Sequence, residues 1–501
     1  MSEETNRPDI TDEDAINLVG FLHGRRKIFT SYSDLTEENV VVELNKALAF
    51  HYQNLFEEDY LYWYRRGLQP ICLKKKEIRP EINHRVCENH AEEIVTFKDG
   101  YFLTKPLSYI SKNKDADEKV DKLNEFLVRS GKPLADNKIV DWFHTVGLGV
   151  LYVEPNRDDD STEAPAYVYA LDPRQAFVVY SYNVGNKPVF AVNCVVYEGR
   201  VVFDVYTKTK VFHIWGGEIT PSVQDMRVQY GTAINIKSVD ANVLGEIPII
   251  EYRYNSVNEG AFEAVVSLLD AINQVASDRM DGITQFIQSL AVAVNCEFEE
   301  GTTANDIRKA GMIVLKSFGD KKPDFNILTN ELNQMQTQTL VDYMYQQVLT
   351  ICGVPSTTKG GTSTSDTGTA VLLRDGWATA DTYARNTKDL FLESNAQFDK
   401  IFISIVNKAT GLGINRNDFE IKFTENETAQ IQSKATAYNT LVQAGLHPIL
   451  AMQKTGVSND PVKDFEYSKA YMDMKVGDPT KPQVVTEQPT NKNEVTQNAS
   501  D

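Results

Sequence analysis

The sequence has few cysteines and no surplus of basic residues, and these shortages exclude several classes of protein. Only five cysteines occur in 501 residues, and none forms a C-x-x-C pair: Cys72, Cys87, Cys194, Cys296 and Cys352. Scattered thiols in an odd number are typical of a reducing compartment and argue against a disulfide or zinc framework. The formal net charge is −19. Because nucleic-acid binding depends on basic residues that contact phosphates, this charge argues against tight wrapping of DNA.

Long hydrophobic runs and targeting signals are also lacking. No run approaches the roughly 18 apolar residues of a membrane-spanning helix, so we expect no membrane association. The first twenty residues are acidic and have no apolar core, so we expect no signal peptide. Hydrophobic residues still make up 42% of the chain and aromatic residues 10%, which is ordinary for a globular protein. At roughly 150 residues per domain, the length predicts about three domains or one large subunit.

The sequence contains no motif set that would support catalysis or metal binding. GxSxG and HExxH do not occur, and S-x-x-K at 111–114 and 356–359 lacks the S-D-N that accompanies it in serine enzymes. His84, Cys87 and His90 form H-x2-C-x2-H, but no second cluster completes a four-ligand zinc site. The acidic turn at 156–167 lacks the glycine and the final acid of a calcium loop. We therefore predict no enzyme activity, no metal and no cofactor.

Hydrophobic periodicity predicts an α+β chain. Apolar residues at helical spacing predict helices at 35–66, 83–97, 117–130, 255–290, 331–351, 369–409, 428–444, 448–455 and 461–474. Alternation predicts mostly antiparallel strands at 147–154, 166–170, 176–182, 189–197, 201–207, 210–215 and 244–254. Shorter strands are predicted at 291–298, 312–316, 325–328 and 418–424, with a small helix at 304–309. A region rich in short predicted strands therefore separates the two long helices predicted at 255–290 and 331–351.

Residues 353–368, GVPSTTKGGTSTSDTG, form a polar segment that cannot build a core. A phosphate-binding loop needs GK[ST] after a strand, whereas here Lys359 precedes Gly360 and the segment follows a helix. Two interpretations stay open: a mobile linker, or a polar loop that faces a passage.

The helix predicted at 369–409 would be about 60 Å long at 1.5 Å per residue, with a possible kink at Gly376. Helices of this length usually bury their apolar stripes against neighbouring subunits. A bundle within one chain remains the alternative.

Four stretches, in this order and spacing, resemble those of a known family: 83–106 (NHRVCENHAEEIVTFKDGYFLTKP), 147–183 (GLGVLYVEPN through ALDPRQAFVVYSYN), 245–255 (GEIPIIEYRYN) and 353–374 (GVPSTTKGGTSTSDTGTAVLLR). The chain resembles the portal proteins of tailed double-stranded-DNA bacteriophages, of the type found in long-tailed phages of Gram-positive hosts. The resemblance spans about residues 40–475. Each stretch is short, and the specificity lies in their order.

This resemblance implies the phage portal fold, assembled as a ring of twelve at one capsid vertex. The implied parts are a wing (40–254), stem helices (255–290 and 331–352), a small α/β clip (291–330), a tunnel loop (353–368), a long wing helix and strand (369–424) and a helical crown (425–475). The family pattern assigns nothing to the N-terminal extension (1–39) or to the tail (476–501), whose composition is typical of disorder.

The resemblance also implies sites and partners. DNA would pass the tunnel loop without sequence specificity, at Thr357, Thr358, Lys359, Gly360, Gly361, Ser363, Thr364 and Asp366. Subunits would meet at Leu372, Leu373, Trp377 and Tyr383. Implied partners are the terminase large subunit, the head-tail adaptor, and the major capsid and scaffolding proteins, in the virion and in the host cytoplasm during assembly. The alternatives are another ring-forming virion or baseplate subunit, and an enzyme that uses the Gly-rich loop on a phosphorylated substrate.

Overall fold

The computed structural model of the chain describes residues 24–77, 79–156, 164–218, 232–287, 290–294, 296–297, 316–317, 324–328, 334–355, 377–423, 431–458 and 461–475. Helices and antiparallel sheets both occur in these ranges, which is the predicted mixture of α and β structure. None of the described helices is both long enough and apolar enough to span a bilayer.

The described strands are β1 (Ile28–Thr30), β2 (Ser108–Ser111), β3 (Leu148–Pro155), β4 (Ala166–Leu171), β5 (Ala176–Ser181), β6 (Pro188–Tyr197), β7 (Arg200–Tyr206), β8 (Lys210–Glu218), β9 (Ala233–Ala241), β10 (Ile249–Arg253), β11 (Leu290–Val294), β12 (Cys296–Glu297), β13 (Lys316–Ser317), β14 (Asp324–Leu328) and β15 (Phe419–Lys422). The described α-helices are α1 (Val40–Arg65), α2 (His90–Phe102), α3 (Asp117–Arg129), α4 (Lys132–Val146), α5 (Val266–Ile287), α6 (Gln334–Cys352), α7 (Trp377–Thr410), α8 (Ile431–Gln443), α9 (Pro448–Thr455) and α10 (Pro461–Lys475).

A six-stranded sheet has the order β1-β5-β6-β7-β8-β9. The pairs from β5 to β9 are antiparallel, as the alternation predicts, whereas β1 pairs with β5 in parallel. The edge strands β1 and β9 are not predicted from the sequence. Leu44 of α1 packs with Phe190, Phe203 and Phe212 of the sheet, so that α1 covers its inner face.

A second sheet of order β10-β3-β4 lies at the main hydrophobic core. The core also takes in residues of α2 to α7, with Phe143, Tyr252, Phe262, Phe391 and Phe398 among its largest buried side chains. These helices and strands therefore share one core, which fixes the start of α5 relative to α7.

Helix α4 is not predicted from the sequence, and its polar residues explain why. Lys132 and Asp136 interrupt the apolar pattern, yet both side chains are buried and form an ion pair four residues apart. The Lys132 ammonium also lies 4.5 Å from the ring centre of Phe398. Gly131 directly precedes α4 and Gly147 directly follows it. Both have left-handed backbone conformations, at φ +80° and +87°.

The prediction of a helix at 83–97 is wrong for its first half. Residues 83–89 are not helical, and α2 begins at His90 and continues through Phe102, beyond the predicted end at 97. The cause is tertiary: the backbone of 83–89 forms its hydrogen bonds with side chains of α5, as described below.

Helices α5 and α6 flank a set of short strands, as the sequence predicts. β11 pairs with β14 and β12 with β13, both antiparallel. The helix predicted at 304–309 lies outside the described residues. The described parts of α5 and α6 pack against each other.

Helix α7 is a single described helix of 34 residues, about 50 Å at 1.5 Å per residue. Phe391, Phe398, Phe402 and Val406 are fully buried in the core of the same chain. The expectation that this stripe packs on neighbouring subunits is therefore wrong for 391–406, where the intramolecular alternative holds. The predicted kink at Gly376 lies outside the described residues.

The C-terminal part of the described chain follows the predicted pattern. β15 pairs with β2 in antiparallel orientation, with Phe419 opposite Ser111. The short helices α8, α9 and α10 match the three predicted at 428–444, 448–455 and 461–474.

Candidate functional site

Helix α6 ends directly before the polar Gly/Ser/Thr segment. The amide of Gly353 donates to the carbonyl of Thr350 at 3.2 Å, and that of Val354 donates to the carbonyl of Leu349 at 2.8 Å. Together with φ +66° at Gly353, these two bonds form a Schellman motif. Val354 is buried. The chain is therefore firmly held up to the start of the polar segment.

Tyr383 of α7 covers this helix end. Its hydroxyl donates to the carbonyl of Ile351 at 3.2 Å. The ammonium of Lys98 on α2 lies 4.9 Å from the Tyr383 ring centre and 5.6 Å from that of Tyr254. Burial lowers the pKa of Lys98 to about 8. One lysine thus connects α2, β10 and α7 beside the end of α6.

Trp377, the first residue of α7, is held by α2 of the same chain. Its ring centre lies 6.1 Å from that of Phe97 and 5.8 Å from that of Tyr101. The Tyr101 hydroxyl donates to the carboxylate of Asp381 one turn further along α7. Both ends of the segment 356–376 are therefore anchored beside α2.

The structure places only part of the predicted site. The eight predicted DNA-channel residues, from Thr357 to Asp366, and the predicted interface residues Leu372 and Leu373 lie outside the described residues. Trp377 and Tyr383 are described, and both contact their own chain, although Tyr383 remains 41% exposed. Their role between subunits stays a prediction.

We expect Gly353→Ala to lower the free energy of unfolding by about 2–4 kcal/mol. A Cβ at this position would lie 2.6 Å from the Tyr383 ring, and the positive φ adds strain for any L side chain. Gly411→Ala is the matched control, because Gly411 also ends a helix at positive φ (+67°) but has no atom within 4 Å of its Cβ position. Urea unfolding should show a loss of only about 1 kcal/mol for the control. Equal losses would contradict the close contact with Tyr383.

An extended segment, residues 83–89, runs along one face of α5. The amides of His84, Val86 and Glu88 donate to the side chains of Asp281 (2.7 Å), Ser277 (2.9 Å) and Asn273 (2.7 Å), respectively. These acceptors are spaced four residues apart on α5, and all three are buried. The segment thereby fixes the orientation of the long helix. The sequence signal is the N-x3-S-x3-D spacing within an otherwise apolar helix.

Asp281 is also the acceptor for a group of basic side chains. Lys74, Lys76 and the His84 ring lie 3.1, 3.3 and 2.9 Å from its carboxylate oxygens. Desolvation opposes ionisation of this carboxyl, but the His84 and Lys74 hydrogen bonds outweigh it and hold the pKa of Asp281 well below its usual value. Asp281 is therefore ionised at neutral pH.

The other motifs of the sequence do not come together as sites. His84 bonds to Asp281, Cys87 contacts the Gly67 carbonyl, and His90 lies between Glu88 and Glu93. Within the described ranges, no three metal-binding side chains converge. Asn156 binds the carbonyl of Ala164 across the acidic turn, whose residues 157–163 lie outside the described residues.

A partly buried polar cluster joins α1, α2 and α4. The His144 ring lies 2.6 Å from Asp99, and Arg65 pairs with Asp141 at 2.6 Å and Glu92 at 2.8 Å. Burial raises the pKa of Asp99 to about 7 and lowers that of His144 well below its usual value. Burial also raises the pKa of Asp141.

We expect Asp99→Asn to change how stability depends on pH. Because its folded-state pKa is raised, Asp99 stabilises the fold below the unfolded-state pKa of 3.8, and this contribution is lost as the pH rises to about 7. The variant should therefore gain stability relative to the natural chain between pH 4 and pH 7, by up to a few kcal/mol. Urea unfolding across this range measures the change, with Asp121→Asn on the exposed face of α3 as the baseline. A difference that is constant with pH would contradict the assignment.

Comparison with known proteins places the chain in a family. The model of the family described as "Phage portal protein, SPP1 Gp6-like" matches residues 48–472. The portal protein of Bacillus phage SPP1 is 23% identical over 400 residues, which cover 77% of this chain and 74% of that protein. The matched region contains the extended segment 83–89, both long helices α5 and α6, and α7 with the polar segment before it. The chain therefore belongs to the SPP1 Gp6-like family of phage portal proteins.

Proposed function

We propose that copies of this chain form a ring of twelve at one vertex of a phage capsid, through which the genome is packaged and later ejected. The observation that carries this proposal is the family match over 48–472, which leaves only the two termini outside. The role is structural rather than enzymatic. The absence of a catalytic motif in the sequence agrees with it.

The charge of the chain suits a passage for DNA. A net charge of −19 repels phosphates, so the polymer can slide past without being held. The segment 356–368 contributes hydroxyls and glycines with one cation, Lys359, and one anion, Asp366. Hydroxyls exchange hydrogen bonds between phosphate and water at little net gain in free energy. We therefore assign 353–368 to the tunnel.

The remaining parts follow the order of the described elements. Residues 40–254 and 369–424 would form the wing, α5 and α6 the stem, 291–330 the clip, and 425–475 the crown. The pairing of α5 with α6, with short strands between them in sequence, supports a stem that leads to a clip. The clip would bind the terminase large subunit during packaging and the head-tail adaptor afterwards. The wing and crown would contact capsid and scaffolding proteins.

Purified protein tests the ring directly. Size-exclusion chromatography with light scattering should give twelve times the chain mass, and negative-stain images should show a central pore with about twelvefold symmetry. A ring without a pore would favour a different virion subunit. A compact monomer at all concentrations would contradict the proposal.

We expect Lys359→Ala to leave ring formation intact and to change DNA packaging or retention only modestly. One cation contributes little to holding a polymer that the chain as a whole repels. Ring mass and packaged DNA per particle are the measurements, with Lys122→Ala on the exposed face of α3 as the control. Loss of the ring in Lys359→Ala alone would contradict the assignment of this segment to the tunnel.

A further inference from the structure

Helix α1 carries an apolar face that none of the described residues covers. Val42, Phe50, Tyr52 and Phe56 are 44–60% exposed, and the exposed Ala49 lies between them. Their spacing along α1 places them on one side of the helix, opposite the side that packs on the six-stranded sheet. Large aromatic side chains grouped in this way mark an interaction surface.

The charge of this face is unusual for so acidic a chain. All four acids of α1 (Glu43, Glu57, Glu58 and Asp59) are buried, so its exposed face carries no negative charge. Lys46 is on that face, with its side chain 63% exposed, and its ammonium pairs with the buried Glu43 at 2.7 Å. The face therefore suits a mainly apolar partner, with Lys46 as its exposed basic group.

The described chain begins beside this surface. Arg25 pairs with Glu57 at 3.0 Å, and the backbone of Arg26 exchanges hydrogen bonds with the Asn54 side chain at 2.9 and 2.8 Å. The Arg26 guanidinium also donates to Gln53 at 3.2 Å. Arg26, two residues after the first described residue, is therefore fixed to α1 at Gln53 and Asn54.

The residues that precede Gly24 have the matching chemistry. Residues 10–22, ITDEDAINLVGFL, contain three acids and no base, followed by a run rich in Ile, Leu, Val and Phe. From Glu57 to Val42 is about 22 Å along α1 at 1.5 Å per residue. Thirteen residues span about 20 Å as a helix, slightly less than this distance, and over 40 Å when extended, so at least part of the segment would be extended to cover the whole face.

We propose that residues 10–22 bind across the outer face of α1 in the same copy of the chain. The short connection at residues 23–25 gives the segment a high effective concentration at this face, which favours binding within one copy over binding to another. Phe21 and Leu22 would lie near Phe56, and the acids at 12–14 would lie towards Lys46. The N-terminal extension would then have a role of its own, the covering of an apolar face of the wing. This inference does not depend on the number of subunits in the ring.

A double-mutant cycle tests the contact in the full-length chain. Phe21→Ser and Phe56→Ser should each lower the midpoint of urea unfolding, and the double variant should lower it no further than the larger single change. Phe29→Ser is the control, because Phe29 is also exposed (46%) but lies on β1, and its effect should add to that of Phe21→Ser. Additive losses for Phe21 and Phe56, or no effect of Phe21→Ser, would overturn the proposal.

Cross-linking identifies the occupant. With Leu18→Cys and Gln53→Cys in one chain, mild oxidation should give a faster-migrating band of single-chain mass, which neither single variant gives. Leu18→Cys with Lys122→Cys on α3 is the matched control and should give no such band. A two-chain band would show that a second copy supplies the segment, and the absence of any band would show that the face is not covered by it. Either result would overturn binding within one copy.

Discussion

Replacing Arg25 with methionine should lower the free energy of unfolding by about 3–5 kcal/mol. The Arg25 side chain is completely buried, and its guanidinium pairs with Glu57 at 3.0 Å and Glu263 at 2.6 Å. It also donates to the carbonyl of Val146 at 2.8 Å. Removal of the cation leaves two buried carboxylates without its charge and one carbonyl without its donor, which costs more than the pair itself contributes.

The matched control for Arg25 is Arg129 on α3. Arg129 pairs with Glu125 four residues earlier, and both side chains are about half exposed. Arg129→Met should therefore change the free energy of unfolding by no more than about 0.5 kcal/mol. In the Arg25→Met background, Glu57→Gln and Glu263→Gln should restore part of the loss, since they remove buried negative charges that Arg25 no longer balances. A loss below about 1 kcal/mol for Arg25→Met would show that water replaces the guanidinium.

Arg25 contacts three separate elements of the fold. Glu57 belongs to α1, Val146 ends α4, and Glu263 lies in the 3-10 turn just before α5. One side chain thus ties the first described residues to the point where the proposed stem helix leaves the wing. Arg25→Met should therefore loosen the start of α5 before it affects the six-stranded sheet.

Much of the fold follows from periodicity alone, because most strands and helices bury one clear face. β3 to β8 begin within one residue of their predicted positions, and all of them except β5 alternate buried with more exposed residues over part of their length. Periodicity does not predict α4, because the charged residues Lys132 and Asp136 interrupt the apolar pattern although they are buried as a pair. It also mispredicts the segment 83–89, because the helical pattern there is overridden by hydrogen bonds to α5, far away in the sequence.

The candidate site was harder to predict than the fold. Composition identified the polar segment after α6, because no core can form from Gly, Ser and Thr. The residues that hold its two ends, Lys98 and Tyr101 on α2, carry no motif, and only the packing of α2 against α7 brings them there. In the sequence, Gly353 resembles any glycine that ends a helix, and only the structure shows the Tyr383 ring packed against it.

We expect Leu373→Asp to abolish ring formation while leaving the thermal midpoint of the monomer unchanged. The family resemblance implies that Leu373 lies at the subunit interface, where an unpaired buried charge would cost several kcal/mol at each contact in the ring. Trp377→Asp should also abolish the ring, but it should lower the free energy of unfolding by about 2–4 kcal/mol as well, since Trp377 packs on Phe97 and Tyr101 of its own chain.

The two variants therefore separate an interface residue from a residue that supports the fold. Asn386→Asp is the control, because Asn386 is exposed on α7 and gains the same charge without losing an apolar contact. Light scattering gives the ring mass, and thermal unfolding at low protein concentration gives the stability of the monomer. If Leu373→Asp still forms complete rings, the contact between subunits lies elsewhere, because a charged side chain could not be buried there twelve times without disrupting assembly.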